Sequence, residues 1–224
     1  MTPTDFQQKL EAQCRRCRPS ELGSIAALAF EETERALAEA LRTAAPEQAI
    51  DCQAGCAWCC HLTVVVSVPE VLRLVEHLRQ TLSPEALLAL RQRCEARVVE
   101  RRSMSIVRWE RTRREPCVLL VDQRCSAYVA RPLACRAANS VDAKACEAGH
   151  HGQNRSIPAY LPQLTIYGQT RDRIGHALRE RGGPGPLELT AALLIALDLP
   201  ADRALAPSVW SAAVYERPPG LASR

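Results

Sequence analysis

Apolar side chains recur every three or four positions along much of the chain, which is the spacing that one face of an α-helix produces. The segment SELGSIAALAFEETERALAEALRTAA, residues 20–45, shows this pattern clearly. The residues that form its apolar face are Ala26, Phe30, Thr33, Leu37, Leu41 and Ala44. Ser20 is a suitable N-cap for the segment, and Pro46 ends it. We therefore predict an amphipathic helix here.

Two further helices are predicted downstream by their N-terminal residues as well as by their spacing. SVPEVLRLVEHLRQ, residues 67–80, begins with Ser67 and Glu70 at the spacing of a capping box. The next helix has Ser83 as its N-cap and a proline at its first helical position. We predict that this second helix runs from Pro84 to about residue 114.

The rest of the pattern is also mainly helical. Residues 163–181 form a helical segment that stops at Gly182-Gly183, and residues 187–199 and 202–215 complete the chain. The signals for β-strands are short, in VVVSV (64–68) and in CVLLV (117–121). The predicted fold class is mainly α, an irregular helical domain whose cysteine-rich loops converge on a metal site.

Compartment and charge narrow the range of functions. MTPTDFQQKL at the start has no basic region followed by an apolar run, so it does not resemble a signal peptide. The densest apolar stretch, AALLIALDLP, is too short for a membrane span and contains Asp198. We therefore expect a cytoplasmic protein without a membrane partner, in which thiols stay reduced. A net charge of +4 is too modest to indicate nucleic acid.

Four cysteines crowd into DCQAGCAWCCH, residues 51–61. They are Cys52, Cys56, Cys59 and Cys60. In a helix they would fall within an arc of about 100° on one face, and a turn at Gly55 would also bring them together. Four neighbouring thiolates repel one another unless a cation binds them. A disulfide framework is typical of shorter secreted chains, so the stretch predicts a metal site.

A second group of cysteines lies in residues 116–140, which have little helical period and which we predict to be mostly loop. Its members are Cys117, Cys125 and Cys135. Their wide spacing suits a loop that folds back over a metal held by the first group. Three arginines in this loop would offset the negative charge of a thiolate site: Arg124, Arg131 and Arg136. We also expect Tyr128 and Arg131 to be partly buried supports of the loop.

CQAGCAWCC followed by PCVLLVDQRCSAYVARPLACR resembles the YkgJ-type cysteine-cluster family, whose members are described as zinc- or iron-chelating or as iron–sulfur-containing. The family pattern is C-x3-C-x2-C-C, a Pro-Cys pair, and C-x-x-Y-x-x-R-P-x-x-C-R. The resemblance covers roughly residues 50–140 and departs from the family only at the flanking Ala127. It implies seven metal ligands: Cys52, Cys56, Cys59, Cys60, Cys117, Cys125 and Cys135. Its other matching positions, which we expect to support the cofactor, include Tyr128, Arg131 and Arg136.

A related cysteine motif occurs in flagellin lysine methylases, but this chain has no recognisable S-adenosylmethionine loop. We predict one domain over residues 1–224. Its metal-binding core spans residues 50–140, with helical segments on either side at 1–46 and 156–216.

The identity of the metal stays open at this point. Four thiolates suit a zinc ion and an iron–sulfur cluster equally well. Seven thiols exceed the four that either needs, and the adjacent Cys59 and Cys60 seldom share one mononuclear ion. The cofactor is therefore iron or an iron–sulfur cluster, or alternatively zinc.

Several other residues are candidates for the same site. Cys146 precedes His150 by four positions and His151 by five, and His61 directly follows the first group. Cys14 and Cys17 form a C-x-x-C whose flanking arginines would lower the pKa of the thiols. Cys94 is most simply a core residue. The sequence leaves open which of these residues join the site.

Two functions remain. The first is an iron or iron–sulfur protein with a redox role or a role in metal-assisted modification, working with an unidentified protein or redox partner. The alternative is a zinc-stabilised module that contacts a protein or nucleic acid through the arginine-rich end of the 84–114 helix, where Trp109 is interleaved. Any enzymatic activity, as an iron–sulfur oxidoreductase or a metal-dependent modifying enzyme, would rest on the metal alone.

Overall fold

The computed structural model describes residues 3–105, 107–109, 115–153, 156–200 and 203–216. The fold is mainly α, as predicted. Its helices are α1 (Pro3–Arg16), α2 (Leu22–Thr43), α3 (Val68–Thr81), α4 (Pro84–Arg102), α5 (Leu133–Ala137), α6 (Ala143–His150), α7 (Leu161–Glu180) and α8 (Leu189–Asp198). Short 3₁₀ helices cover Pro19–Glu21, Trp58–His61, Tyr128–Ala130 and Pro207–Ala213.

Helix α2 lies where its apolar pattern predicted it. Ala26, Phe30 and Thr33 of the predicted face are buried. The N-cap prediction is wrong, because Ser20 belongs to the 3₁₀ turn that begins at Pro19, and the helix starts two residues later, with Glu21 as its N-cap.

Helix α4 begins as predicted and ends early. The Oγ of Ser83 accepts a hydrogen bond from the backbone N–H of Ala86 at 3.3 Å. The helix stops at Arg102 instead of near residue 114, although residues 107–109 are again helical. At its end, the Ser103 hydroxyl donates to the carbonyl oxygen of Glu100 at 2.6 Å, a local bond that competes with regular helix. Residues 106 and 110–114 of the predicted helix lie outside the described residues.

The helices pack around a single hydrophobic cluster. Helix α2 packs against α3 and α7, α1 packs against α7, and α8 packs against both α3 and α4. The buried carboxylate of Glu70, in the first turn of α3, accepts hydrogen bonds from the N–H groups of Ser67 at 2.7 Å and Leu133 at 2.8 Å. This carboxylate therefore fixes the start of α5, the short helix that carries Cys135.

Two small antiparallel strand pairs complete the fold. Strand β1 (Val65–Val66) pairs with β4 (Leu187–Glu188), and β2 (Leu120–Val121) pairs with β3 (Arg124–Cys125). The turn between β2 and β3 places Asp122 and Gln123 at positive φ, 48° and 59°, which suits a tight hairpin. The hairpin aligns Cys125 opposite Leu120.

None of the helices in the described part of the chain is long and apolar enough to cross a membrane.

Candidate metal centre

The first cysteine group lies on a turn followed by a 3₁₀ helix, not on an α-helix. Gly55 has φ +93°, which is a conformation that side-chain-bearing residues rarely adopt. The N–H of Cys56 closes this turn by donating to the carbonyl oxygen of Gln53 at 3.0 Å. The 3₁₀ helix Trp58–His61 then carries both Cys59 and Cys60. The turn thus gathers the four thiols, which was the second of the two arrangements expected.

The loop that carries the second cysteine group is attached directly to the first. The N–H of Cys117 donates to the carbonyl oxygen of Cys60 at 2.7 Å. Cys125 lies on strand β3, and Cys135 lies in helix α5. Helix α5 is held in turn by α7, where the Gln163 side chain donates to the Arg136 carbonyl oxygen at 2.7 Å. Three separate local structures therefore present these three cysteines.

The thiols of the two groups lie close enough to influence one another's ionisation. Burial raises the pKa of Cys135 well above its usual value, and nearby Cys117, Cys59 and Cys125 raise it further. Burial likewise raises the pKa of Cys125, and Cys59 again adds to the effect. The structure thus brings the loop cysteines and the first group into one neighbourhood, in which Cys59 is the shared neighbour.

An eighth cysteine, Cys146 on helix α6, joins this neighbourhood. Burial raises the pKa of the Cys146 thiol, and the nearby Cys56 and Cys59 raise it further. Burial also raises the pKa of Cys52, and the nearby Cys56, Cys59 and Cys146 raise it further. The sequence alone did not decide whether Cys146 belongs to the metal site.

Asp51 explains why helix α6 lies there. Its N–H donates to the carbonyl oxygen of Ser140, and its carboxylate accepts from the N–H of Ala143, both at 2.9 Å. The sequence gives little indication of this contact. An aspartate immediately before a cysteine group does not show, from spacing alone, which distant helix it will bind.

The adjacent thiols of Cys59 and Cys60 differ in pKa. The Cys60 thiol donates a hydrogen bond to the Cys59 sulfur, which lowers the pKa of Cys59 to about 7. The same bond raises the pKa of Cys60. The positive charge of Arg131 also lowers the pKa of Cys59. Cys59 is therefore the thiol of this pair that ionises first and that is best prepared to bind a cation.

The cysteine sulfurs are neighbours, but they are not close enough together to hold one metal ion as they stand. Within the described residues, three potential ligand atoms lie within 4.8 Å of one another only in the group Glu11, His176 and Glu180. These carboxylates already bind arginine: Arg15 contacts Glu11 at 2.7 Å and Glu180 at 2.5 Å. That group is an ion-pair network between α1 and α7. The assignment of the seven cysteines as metal ligands stays a prediction.

Arg131 lies beside the thiols, as expected, whereas Tyr128 differs from its prediction. The charge of Arg131 lowers the pKa of both Cys59 and Cys125. The Tyr128 ring is 59% exposed instead of buried, because it belongs to a surface 3₁₀ turn. The Arg131 guanidinium lies 4.0 Å from the centroid of this ring. The ring therefore supports the arginine from the solvent side.

Arg136 supports the loop rather than balancing thiolate charge. Its side chain is buried at 5% exposure and donates to the carbonyl oxygens of Arg131 at 2.8 Å and Val129 at 2.5 Å. The remaining end of the guanidinium is paired with the carboxylate of Glu34. The expectation that its charge offsets the thiolates is therefore corrected by this ion pair. The third arginine, Arg124, is exposed on β3.

Three histidines and a tryptophan form a ring cluster where helix α6 meets the 3₁₀ helix Trp58–His61. The ring centroids of His61 and His150 are 4.4 Å apart, and those of Trp58 and His150 are 5.3 Å apart. His151 lies 5.2 Å from His150 by the same measure. The cluster adjoins the cysteines in the chain and therefore lies at the edge of the thiol neighbourhood.

The CRRC pair is built into a helix junction. Arg181 donates to the carbonyl oxygens of Cys14 at 2.6 Å and Cys17 at 2.8 Å, and it contacts the Cys17 sulfur at 3.3 Å. Cys14 is fully buried, and burial raises its pKa to about 11, which outweighs the arginines expected to lower it. Cys94 lies in the core, as predicted, with a pKa raised by burial to about 12.

The segment that contains these cysteines matches a known family. Residues 51–152 match the model of the CxxCxxCC family, described as a "putative zinc- or iron-chelating domain". The CxxCxxCC domain covers a little under half of the 224-residue chain and contains all eight cysteines of the neighbourhood. The match supports chelation of zinc or iron by cysteines in this segment. No curated protein and no solved structure matches the chain.

Proposed function

We propose that the CxxCxxCC domain holds iron, in the form of an iron–sulfur cluster or another multinuclear iron centre, and uses it in redox chemistry or metal-assisted modification. The observation that carries this proposal is the number of thiols around Cys59. Eight cysteines share the neighbourhood, which is twice the four that a single zinc ion or a single cluster requires.

The Cys59–Cys60 pair supports a centre with more than one metal atom. A hydrogen bond joins the two thiols, but adjacent residues leave the 3₁₀ helix in different directions, so two neighbouring thiolates rarely bind the same mononuclear ion. The pKa of Cys60 is raised by Cys117 and Cys135, whereas Cys59 raises the pKa of Cys52, Cys125 and Cys146 and also that of Cys135. The two sulfurs would therefore serve different metal atoms or bridge between them.

The protein residues around the thiols have separate tasks in this proposal. Arg131 stabilises thiolate charge, because its guanidinium cannot lose its proton. Arg136 keeps the 128–136 loop in shape through its bonds to two carbonyl oxygens. An iron–sulfur cluster would supply the electron transfer, and the chain would supply ligands, charge balance and partial access to solvent, since Cys52 and Cys59 are exposed.

The zinc-stabilised module has less support from the described part of its basic helix. Arg91 pairs with Glu95 and Asp198, and Arg97 pairs with Glu100 and Glu115. Trp109 is only 3% exposed, so its ring offers no stacking surface to a nucleic-acid base.

Substitution of single cysteines tests the proposed ligands. Anaerobically purified Cys59→Ser should lose the visible absorption that sulfur-to-iron charge transfer gives to an iron–sulfur protein. Cys17→Ser is the matched control, since Cys17 lies at the helix junction held by Arg181 and outside the thiol neighbourhood. The proposal fails if Cys59→Ser keeps the iron content and absorption of the unmodified chain.

A further inference from the structure

A cavity of about 260 Å³ lies between helix α2 and the 128–136 loop. Its wall on α2 includes Ala27 and Phe30 together with the carboxylates of Glu31 and Glu34, and its wall on the loop includes Tyr128 and Arg131. Typical sites for drug-sized molecules have volumes of roughly 300–1,000 Å³, so this cavity suits a smaller metabolite. The loop also carries Cys125 and Cys135 on either side of these residues, so the cavity borders the proposed metal centre.

The charged residues of the cavity are not equivalent. Arg136 is occupied by two carbonyl oxygens and by Glu34. Arg73 pairs with Glu76 at 2.8 Å. These two arginines therefore already have their partners within the protein.

Arg131 is the exception. Its Nε is buried and has no hydrogen-bond partner. Within the described residues, its guanidinium makes no ion pair, and its contact on one face is the Tyr128 ring at 4.0 Å. An unsatisfied buried donor is costly, and native proteins usually pair it with protein, water or ligand. The remaining donors of a guanidinium can serve a planar anion with two oxygens.

We propose that this cavity binds a small organic carboxylate, with the carboxylate on Arg131 and the apolar body against Ala27 and Val129. A guanidinium matches the two oxygens of a carboxylate in geometry and in charge. Ala27 and Val129 supply the apolar surface that a simple inorganic anion would not use. The ligand would lie beside the proposed metal centre, where a substrate must lie to react. The inference goes beyond the metal proposal and does not depend on which metal is bound.

Benzoate is a suitable probe, with benzylamine as a probe of the same size and opposite charge. Binding of each to the full-length, metal-loaded protein is measured by isothermal titration calorimetry. The expected dissociation constant for benzoate is about 1 mM, the range for so small a ligand. Benzylamine should bind more weakly than benzoate, because its ammonium group would face Arg131 and could pair only with a carboxylate on the α2 wall.

Three variants locate the site. Arg131→Gln removes the cation, and Ala27→Leu fills the cavity from α2 without changing any charge. Each should weaken benzoate binding by about tenfold or more. Arg124→Gln, in the exposed hairpin next to this loop, removes the same charge outside the cavity and should leave binding unchanged.

The inference is overturned if benzoate shows no saturable binding, if benzylamine binds equally well, or if Arg131→Gln and Ala27→Leu both bind benzoate normally. Metal content is measured on each sample to keep the two proposals separate. Purified protein that contains zinc and still binds benzoate through Arg131 would refute the iron proposal and support the carboxylate site.

Discussion

The backbone N–H of Cys117 donates to the carbonyl oxygen of Cys60 at 2.7 Å, and this bond joins the two cysteine segments of the domain. Because the bond is formed by main-chain atoms, it depends on the path of the chain and not on a metal. The two segments are therefore held together by the fold itself, and the metal would tighten an arrangement that the backbone already sets.

Removal of the metal should accordingly loosen the 116–140 loop without unfolding the chain. Part of the metal-binding free energy is folding free energy, but residues of α2, α3, α7 and α8 form most of the hydrophobic core. Limited proteolysis with and without a chelator should show new cleavage within 116–140, while circular dichroism keeps the helical signal. Identical cleavage patterns in the two samples would contradict a structural contribution of the metal.

Glu70 should be critical for stability and for the position of Cys135. Glu70→Ala leaves the N–H groups of Ser67 and Leu133 without their buried acceptor, which should lower the unfolding free energy by about 3 kcal/mol. Urea denaturation measures this change. The control is Glu76→Ala, where an exposed carboxylate on the same helix is removed at little cost. Equal stability of the two variants would contradict the role of Glu70.

Glu70 should also make stability depend on pH. Burial raises the pKa of this carboxyl above its usual value, against the hydrogen bonds from Ser67 and Leu133 that lower it. A carboxyl with a raised folded-state pKa holds its proton more tightly in the folded chain. The unfolding free energy should therefore fall as pH rises from the unfolded pKa of about 4.3 towards the folded value. A comparison of Glu70→Gln with the unmodified chain over this range should show a weaker dependence in the variant.

The two thiols of the CRRC pair should react at different rates. Burial and a pKa raised to about 11 keep Cys14 protonated and inaccessible, whereas Cys17 is half-buried. Alkylation of the native chain near neutral pH, followed by peptide mass spectrometry, should label Cys17 well before Cys14. Equal labelling of both cysteines before unfolding would show that this helix junction opens in solution.

Arg131 and Tyr128 should differ in their effect on metal retention. Arg131→Ala removes the positive charge beside Cys59 and Cys125 and should lower metal content, whereas Tyr128→Phe keeps the ring and should retain it. Cys135→Ser is the reference for loss of a ligand. Full metal content in Arg131→Ala beside a depleted Cys135→Ser would remove the arginine from the account and leave the site intact.

The sequence predicted the helices better than it predicted their ends. Apolar spacing located α2 and α3 because burial of one face is a local property of the pattern. The end of α4 at Arg102 depends on the Ser103 hydroxyl bond, which competes with regular helix at that point. Such local competition is hard to weigh from residue types alone.

The same limit applies to the site. The motif predicts seven cysteine ligands, because their spacing is itself the signal, and this assignment stays a prediction. It did not settle Cys146, whose position depends on the docking of helix α6 to Asp51. It also could not show that Tyr128 is exposed, since that depends on where its 3₁₀ turn lies on the surface.

The most direct test of the central claim is the measurement of iron, zinc and acid-labile sulfide per chain in full-length protein purified without oxygen. We predict iron and sulfide in stoichiometric amounts, with little zinc, because eight neighbouring thiols, the Cys59–Cys60 pair among them, suit a multinuclear iron centre. A colourless protein that carries stoichiometric zinc and no sulfide would contradict this account.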